Sequence, residues 1–130
     1  MMCDYDQLIE DYKVLTDENI NLAYDIMQRA TAIKDSIGEN LANAHKVETD
    51  RKHMVEVVKS KLSIKSDAKN STNGNRQAMA CDEYYDAVCE WTKARKHYEY
   101  LTVMMEVVSD IRYQAFGIWS RANKELGGYG

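Results

Sequence analysis

The sequence contains no proline and only six glycines, three of them within its last four residues. Proline and glycine most often mark the turns between strands and the loops between domains. Their scarcity argues against a sheet-rich fold, and a length of 130 residues is that of one ordinary domain. The chain is therefore expected to be a single all-α domain spanning residues 1–130.

Long apolar runs are absent as well. Leu101 to Met105 is typical of the uncharged apolar stretches, whereas a helix needs roughly 18 such residues to cross a membrane. A secretory signal would begin with basic and apolar residues. The N-terminal segment instead carries four acidic residues, namely Asp4, Asp6, Glu10 and Asp11. These absences predict a cytoplasmic protein with no membrane contact.

Few side chains are available for metal binding or catalysis. The soft metal ligands are three cysteines and three histidines, namely Cys3, Cys81, Cys89, His45, His53 and His97. The cysteines fit neither a disulfide framework nor a zinc site, which indicates free thiols in a reducing compartment. The histidines have no partner at ligand spacing, and motifs such as a Walker loop or His-Glu-x-x-His are lacking. The sequence therefore predicts no metal, no cofactor and no enzymatic activity.

Apolar residues recur at steps of three and four through most of the first half, as on one face of a helix. This pattern predicts a first long helix over residues 17–65, with a possible bend near Gly38 because glycine weakens a helix interior. Thr16 or Asp17 is expected to cap it, which leaves residues 1–16 as a separate short helix. The stripe comprises Ile26, Ala30, Ile33, Ile37, Leu41, Ala44, Val47, Arg51, Val55, Val58 and Leu62.

A polar segment over residues 66–76 has no large apolar side chain and is predicted to be a loop. A second apolar stripe then predicts a long helix over residues 77–126. Two such helices joined by a short loop can bury their stripes against each other, so the expected fold is a long antiparallel helical hairpin.

The second helix is apolar around most of its circumference between residues 98 and 111. A helix of this kind requires neighbours on several sides, which a two-helix layer does not supply. The sequence therefore predicts a homo-oligomer. The residues expected at the subunit interface are Leu101, Met105, Val108, Ile111, Ala115 and Ile118.

Charge is distributed unevenly along the chain despite a net charge of only −4. Residues 1–50 hold 11 acidic and 4 basic side chains, whereas residues 51–76 hold 7 basic and 2 acidic ones, a net charge of +5. Such a basic segment is typical of phosphate binding, although a solvated helix face would give the same pattern. The candidate DNA-binding residues are Arg51, Lys52, Lys59, Lys61, Lys65, Lys69 and Arg76.

A group of aromatic residues allows two interpretations. Exposed rings can stack on the bases of a single strand, but rings at helical spacing more often belong to a core. The group consists of Tyr84, Tyr85, Trp91, Tyr98 and Tyr100.

The segment Lys59-Ser60-Lys61-Leu62 and the later stretch over residues 98–105 carry a resemblance to a known family. The first is similar to the Lys-x-Arg-Leu motif of the phage recombination mediator proteins of the UvsY type, with lysine in place of the arginine. The similarity covers residues 17–124. It implies a ring-like homo-oligomer that binds single-stranded DNA and helps load a RecA-like recombinase onto DNA coated by single-strand-binding protein. It also implies that Lys59 and Lys61 contact DNA, and that the protein works in the host-cell cytoplasm if a phage encodes it.

The leading hypothesis is therefore a non-enzymatic recombination mediator. The alternative is a small acidic helical adaptor or inhibitor, in which the acidic first half docks on a basic protein and no nucleic acid is bound. Steep weakening of DNA binding by salt would distinguish the first from the second.

Overall fold

In the computed structural model, which describes residues 3–65 and 81–126, every regular element is a helix. Helix α1 is Asp4–Lys13, helix α2 is Ile20–Lys65 and helix α3 is Asp82–Leu126. The two long helices have 46 and 45 residues and pack against each other. The all-α class and the long helical hairpin with a short N-terminal helix are thereby confirmed.

The beginning of α2 differs by a few residues from the sequence prediction. Neither Thr16 nor Asp17 caps the helix. Asn19 does so, because its side-chain oxygen accepts the backbone N–H of Leu22 at 3.1 Å while its carbonyl accepts that of Ala23 at 3.0 Å. The turn between α1 and α2 consequently occupies residues 14–19. Helix α2 runs unbroken through Gly38.

Residues 3–40 and 101–126 form the first of two compact units. Here α1 covers the packed long helices, and Leu8 of α1 is completely buried. The core that surrounds it comprises Ile26, Ala30, Ile37, Val108, Ile111 and Ala115. A third helix therefore supplies this unit with a closed apolar interior.

An ionic contact holds α1 to α2 in this first unit. The guanidinium of Arg29 lies 2.6 Å from the carboxylate of Asp11 in α1 and 3.1 Å from that of Asp25. Gln7 also donates to Asp11, at 3.0 Å. The hydrogen bond from Arg29, with a smaller effect of Gln7, lowers the pKa of Asp11.

The second compact unit comprises residues 41–100, described over 41–65 and 81–100. Among its described residues no third helix covers α2 and α3, and only Ala44 and Val55 are buried. Polar side chains join the helices at one side: the indole N–H of Trp91 donates to Glu48 at 2.9 Å. The described part of this unit contains the candidate basic residues Arg51, Lys52, Lys59, Lys61 and Lys65.

Candidate nucleic-acid interface

The predicted cations differ in exposure and in pairing. Arg51, Lys52 and Lys61 are exposed, and none of them forms an ion pair with a carboxylate in the part of the chain that the structure describes. Lys59 is half-buried, with 28% of its side chain exposed, and lies 3.4 Å from Glu56. Three exposed cations are therefore available to an anionic partner.

Lys65 is the last residue of α2, so its backbone extends the same helix. Lys69 and Arg76 lie outside the described residues. The polar loop that the sequence predicts over residues 66–76 lies outside them as well.

Helical geometry separates these cations into two groups. Successive residues of an α-helix are rotated by about 100°, so Lys59 and Lys61, two residues apart, are on nearly opposite sides of α2. Lys52 precedes Lys59 by seven residues and shares its side. The basic segment therefore presents Lys52 and Lys59 on one side of α2 and Lys61 on the nearly opposite side.

The row of Lys52 and Lys59 runs beside aromatic side chains of α3. His45, seven residues before Lys52, packs on Tyr98 with ring centroids 5.2 Å apart. Glu48, one turn before Lys52, accepts the indole N–H of Trp91. We call this side of the second unit the aromatic edge; it consists of His45, Lys52 and Lys59 of α2 and Tyr84, Trp91 and Tyr98 of α3.

Arg95 is a member of this site that sequence analysis missed. Its guanidinium carbon lies 5.3 Å from the ring centroid of Trp91, within the range of a cation–π contact. About half of its side chain is exposed, and its nitrogen lies 4.0 Å from Glu99. The four-residue spacing of Trp91 and Arg95 could have indicated the contact, because residues i and i+4 are neighbours on a helix.

Arg51 belongs to neither group, because the same rotation places it about 100° from Lys52 and about 80° from Lys61. Arg51 was placed on the buried stripe by its spacing, but its side chain is exposed. Together with Val47, Asp50 and Met54 it lines a shallow surface groove. Long basic side chains can reach solvent from such a position because their aliphatic stems lie along apolar surface.

The aromatic group of α3 is divided between core and surface. Tyr84, Trp91 and Tyr98 are half-buried at the helix packing, whereas Tyr85 and Tyr100 are exposed. A hydrogen bond between Tyr85 and Cys89 raises the pKa of the phenol. The half-buried rings therefore take part in the helix packing while part of each remains exposed, and Tyr85 and Tyr100 are surface residues.

The residues predicted for subunit contact lie inside the single chain. Leu101, Val108, Ile111, Ala115 and Ile118 are buried, and Met105 is half-buried. Helices α1 and α2 of the same chain provide this cover, so no second subunit is needed to explain their apolar character. The apolar side chains of α3 that remain exposed in the first unit are Val103, Tyr113 and Phe116.

None of the three cysteines forms a disulfide; Cys3 and Cys81 are exposed and Cys89 is half-buried. Within residues 3–65 and 81–126, no three histidine, cysteine or carboxylate side chains converge as metal ligands. None of the helices in the described ranges is long and apolar enough to cross a membrane.

Comparison with known proteins identifies no relative of this chain. No protein-family model matches the chain, and neither the curated proteins nor the solved structures contain a significant match.

Proposed function

We propose that this chain is a non-enzymatic recombination mediator that binds single-stranded DNA and helps load a RecA-like recombinase onto strands coated by single-strand-binding protein. The resemblance of Lys59-Ser60-Lys61-Leu62 and residues 98–105 to the UvsY type suggests this role. The structural observation that supports it is that Arg51, Lys52 and Lys61 of the second unit are exposed and form no ion pair with any carboxylate among the described residues.

These cations are suited to phosphate binding because no carboxylate of the described chain competes for them. Each one that contacts a phosphate releases condensed counterions, so binding weakens as the salt concentration rises. Lysines read no base edges, so binding through them would be indifferent to sequence. The C-terminal location of Lys61 in α2 has a second explanation, because cations also stabilise the negative end of a helix dipole.

Assembly into a homo-oligomer is part of the proposal. The basic segment of each subunit would then be repeated, and simultaneous contacts with one strand would raise the affinity above that of a single subunit. Exposed apolar side chains on α3, including Val103 with 56% of its surface exposed, are suitable subunit contacts. These exposed side chains are better candidates for the subunit interface than Val108 and Ile111, which are buried within the single chain.

A double substitution, Lys59→Ala with Lys61→Ala, tests the DNA-binding part. Binding of a fluorescent oligonucleotide, followed by anisotropy at several salt concentrations, should weaken while helicity and solution mass stay the same. If both residues contact phosphates, the slope of log affinity against log salt should fall by about 1.4, at about 0.7 for each lost contact. Unchanged binding and slope would show that the two lysines are only solvated or serve the helix terminus.

Loading is tested by adding the protein to a RecA-like recombinase and a strand already coated with single-strand-binding protein. Faster formation of recombinase filaments is expected, and the double variant should accelerate it less than the parent chain does. No acceleration by the parent would contradict the mediator role even if DNA binding were observed.

An acidic adaptor or inhibitor is the second candidate. The acidic side chains of residues 1–50 include the exposed Asp4, Asp6 and Glu10 of α1, which gives this helix an anionic outer surface. Such a surface attracts basic proteins. Failure of the parent chain to bind DNA even at low salt would favour this function.

A further inference from the structure

The aromatic edge combines the two kinds of side chain that single-strand binders use. In the second unit, α2 and α3 are antiparallel, since His45 meets Tyr98 and Glu48 meets the earlier residue Trp91. Seven residues are nearly two complete helical turns, so a step of seven keeps a residue on the same side. Advancing both helices from His45 and Tyr98 brings Lys52 to within about one turn of Trp91, whose observed contact is Glu48, and brings Lys59 equally close to Tyr84.

From this register we propose that the aromatic edge binds single-stranded nucleic acid by stacking unpaired bases on its rings while its cations contact the phosphates. The inference rests on the proposed function and specifies its binding mode. Stacking requires accessible base faces, which a duplex keeps within its own stack. The edge would therefore prefer single strands, whereas a plain lysine row would not.

The spacing of the rings matches the repeat of a stacked strand. Tyr84, Trp91 and Tyr98 are seven residues apart, which is about 10.5 Å along a helix. Successive nucleotides of a stacked strand rise by about 3.4 Å along its axis, so each interval corresponds to about three nucleotides. The three rings would then contact a segment of about seven nucleotides in each subunit.

Trp91 is the ring best prepared for this contact. Its N–H is fixed by Glu48, which orients the indole, and Arg95 lies against its face. The guanidinium of Arg95 can leave the indole ring and bind a phosphate instead. The ring face that it leaves is then accessible to a base. Lys52, within about one turn of Trp91, supplies a second cation, and no ion pair engages it among the described residues.

Three carboxylates near these cations and rings oppose phosphate binding, and one of them, Glu99, lies 4.0 Å from Arg95. Glu56 pairs with Lys59, and Glu48 accepts the indole N–H. The bond from Trp91 needs only an acceptor oxygen, which the side chain of glutamine also supplies. Glu48→Gln should therefore raise the affinity for single strands a fewfold, whereas Asp50→Asn, beside Arg51 on the opposite side of α2, should change it less.

The decisive experiment uses Trp91 as a probe. A Trp119→Phe variant leaves it as the only tryptophan, because the chain has two. Adding oligothymidine should quench its fluorescence, while an abasic oligonucleotide of equal length and charge should bind more weakly and quench less. In the same background, Trp91→Leu keeps an apolar side chain and should weaken oligothymidine binding roughly 5- to 150-fold, with unchanged helicity.

The possible results separate this inference from the proposed function. Equal affinity for the abasic and base-bearing strands, without quenching, would overturn stacking and leave electrostatic DNA binding intact. The strand comparison needs no substitution at Trp91, so it decides the matter even if Trp91→Leu fails to fold. An unmodified chain that binds neither strand at low salt would overturn both.

Discussion

Gly38 offers a test of the packing of α2 against α3. It is a half-buried residue in the interior of α2, where glycine is about 1 kcal/mol less favourable than alanine. A methyl group placed on its backbone would meet the terminal carbon of Met105 at 3.7 Å, an ordinary van der Waals contact. Gly38→Ala should therefore stabilise the protein by about 1 to 1.5 kcal/mol, the upper value including some burial of the new methyl group.

Thermal unfolding followed by circular dichroism would measure this effect. The unfolding entropy is about 2.1 cal/mol/K per residue, or about 0.27 kcal/mol/K for this chain, so the midpoint should rise by about 4 to 5 °C. Gly117→Ala is the matched control, since Gly117 is also helical but has nothing within 4 Å of the added carbon. It should gain the helix-propensity part alone.

A lower midpoint for Gly38→Ala, together with a higher one for Gly117→Ala, would refute the reasoning. It would mean that α3 approaches Gly38 more closely than the 3.7 Å contact allows, or that α2 is distorted there. Equal gains at both positions would show that propensity alone is responsible and that the contact with Met105 contributes nothing.

Three further predictions concern the first unit. Leu8→Ala should destabilise the docking of α1 by about 2–5 kcal/mol, seen as faster hydrogen exchange over residues 4–13; unchanged exchange would contradict it. The pKa of Asp11 is below its ordinary value of 3.8, so the ionised carboxylate contributes its full stability above pH 3.8 and loses it as the pH falls through the lowered pKa. Asp11→Asn should therefore be less stable than the parent chain at neutral pH. The difference, measured by denaturant titration, should shrink below pH 3.8. Val108→Asp should unfold the chain because Val108 is fully buried. Val103→Asp should preserve helicity, because Val103 is exposed, and should lower the mass of the oligomer measured by light scattering. An unchanged mass would show that Val103 is not at the subunit interface.

The sequence alone determined the helical class and the pairing of two long helices. Apolar side chains three and four residues apart can be buried together only if the chain is helical, and a polar segment between two such stripes lets them fold back on each other. The charge segregation is equally a property of the sequence. The division of Lys59 and Lys61 between opposite sides also follows from their two-residue spacing, once the helix is known to be continuous.

The tertiary structure decided which of several equivalent candidates is used. Thr16, Asp17 and Asn19 can all cap a helix, and the turn after α1 selects Asn19. Val103 and Val108 have the same side chain, yet one is exposed and the other buried, because burial depends on where α1 and α2 lie. The bond between Glu48 and Trp91 joins residues 43 apart in sequence, and no local pattern specifies such a pair. The aromatic edge therefore exists only through the register of the two helices, which is set by packing along their whole contact.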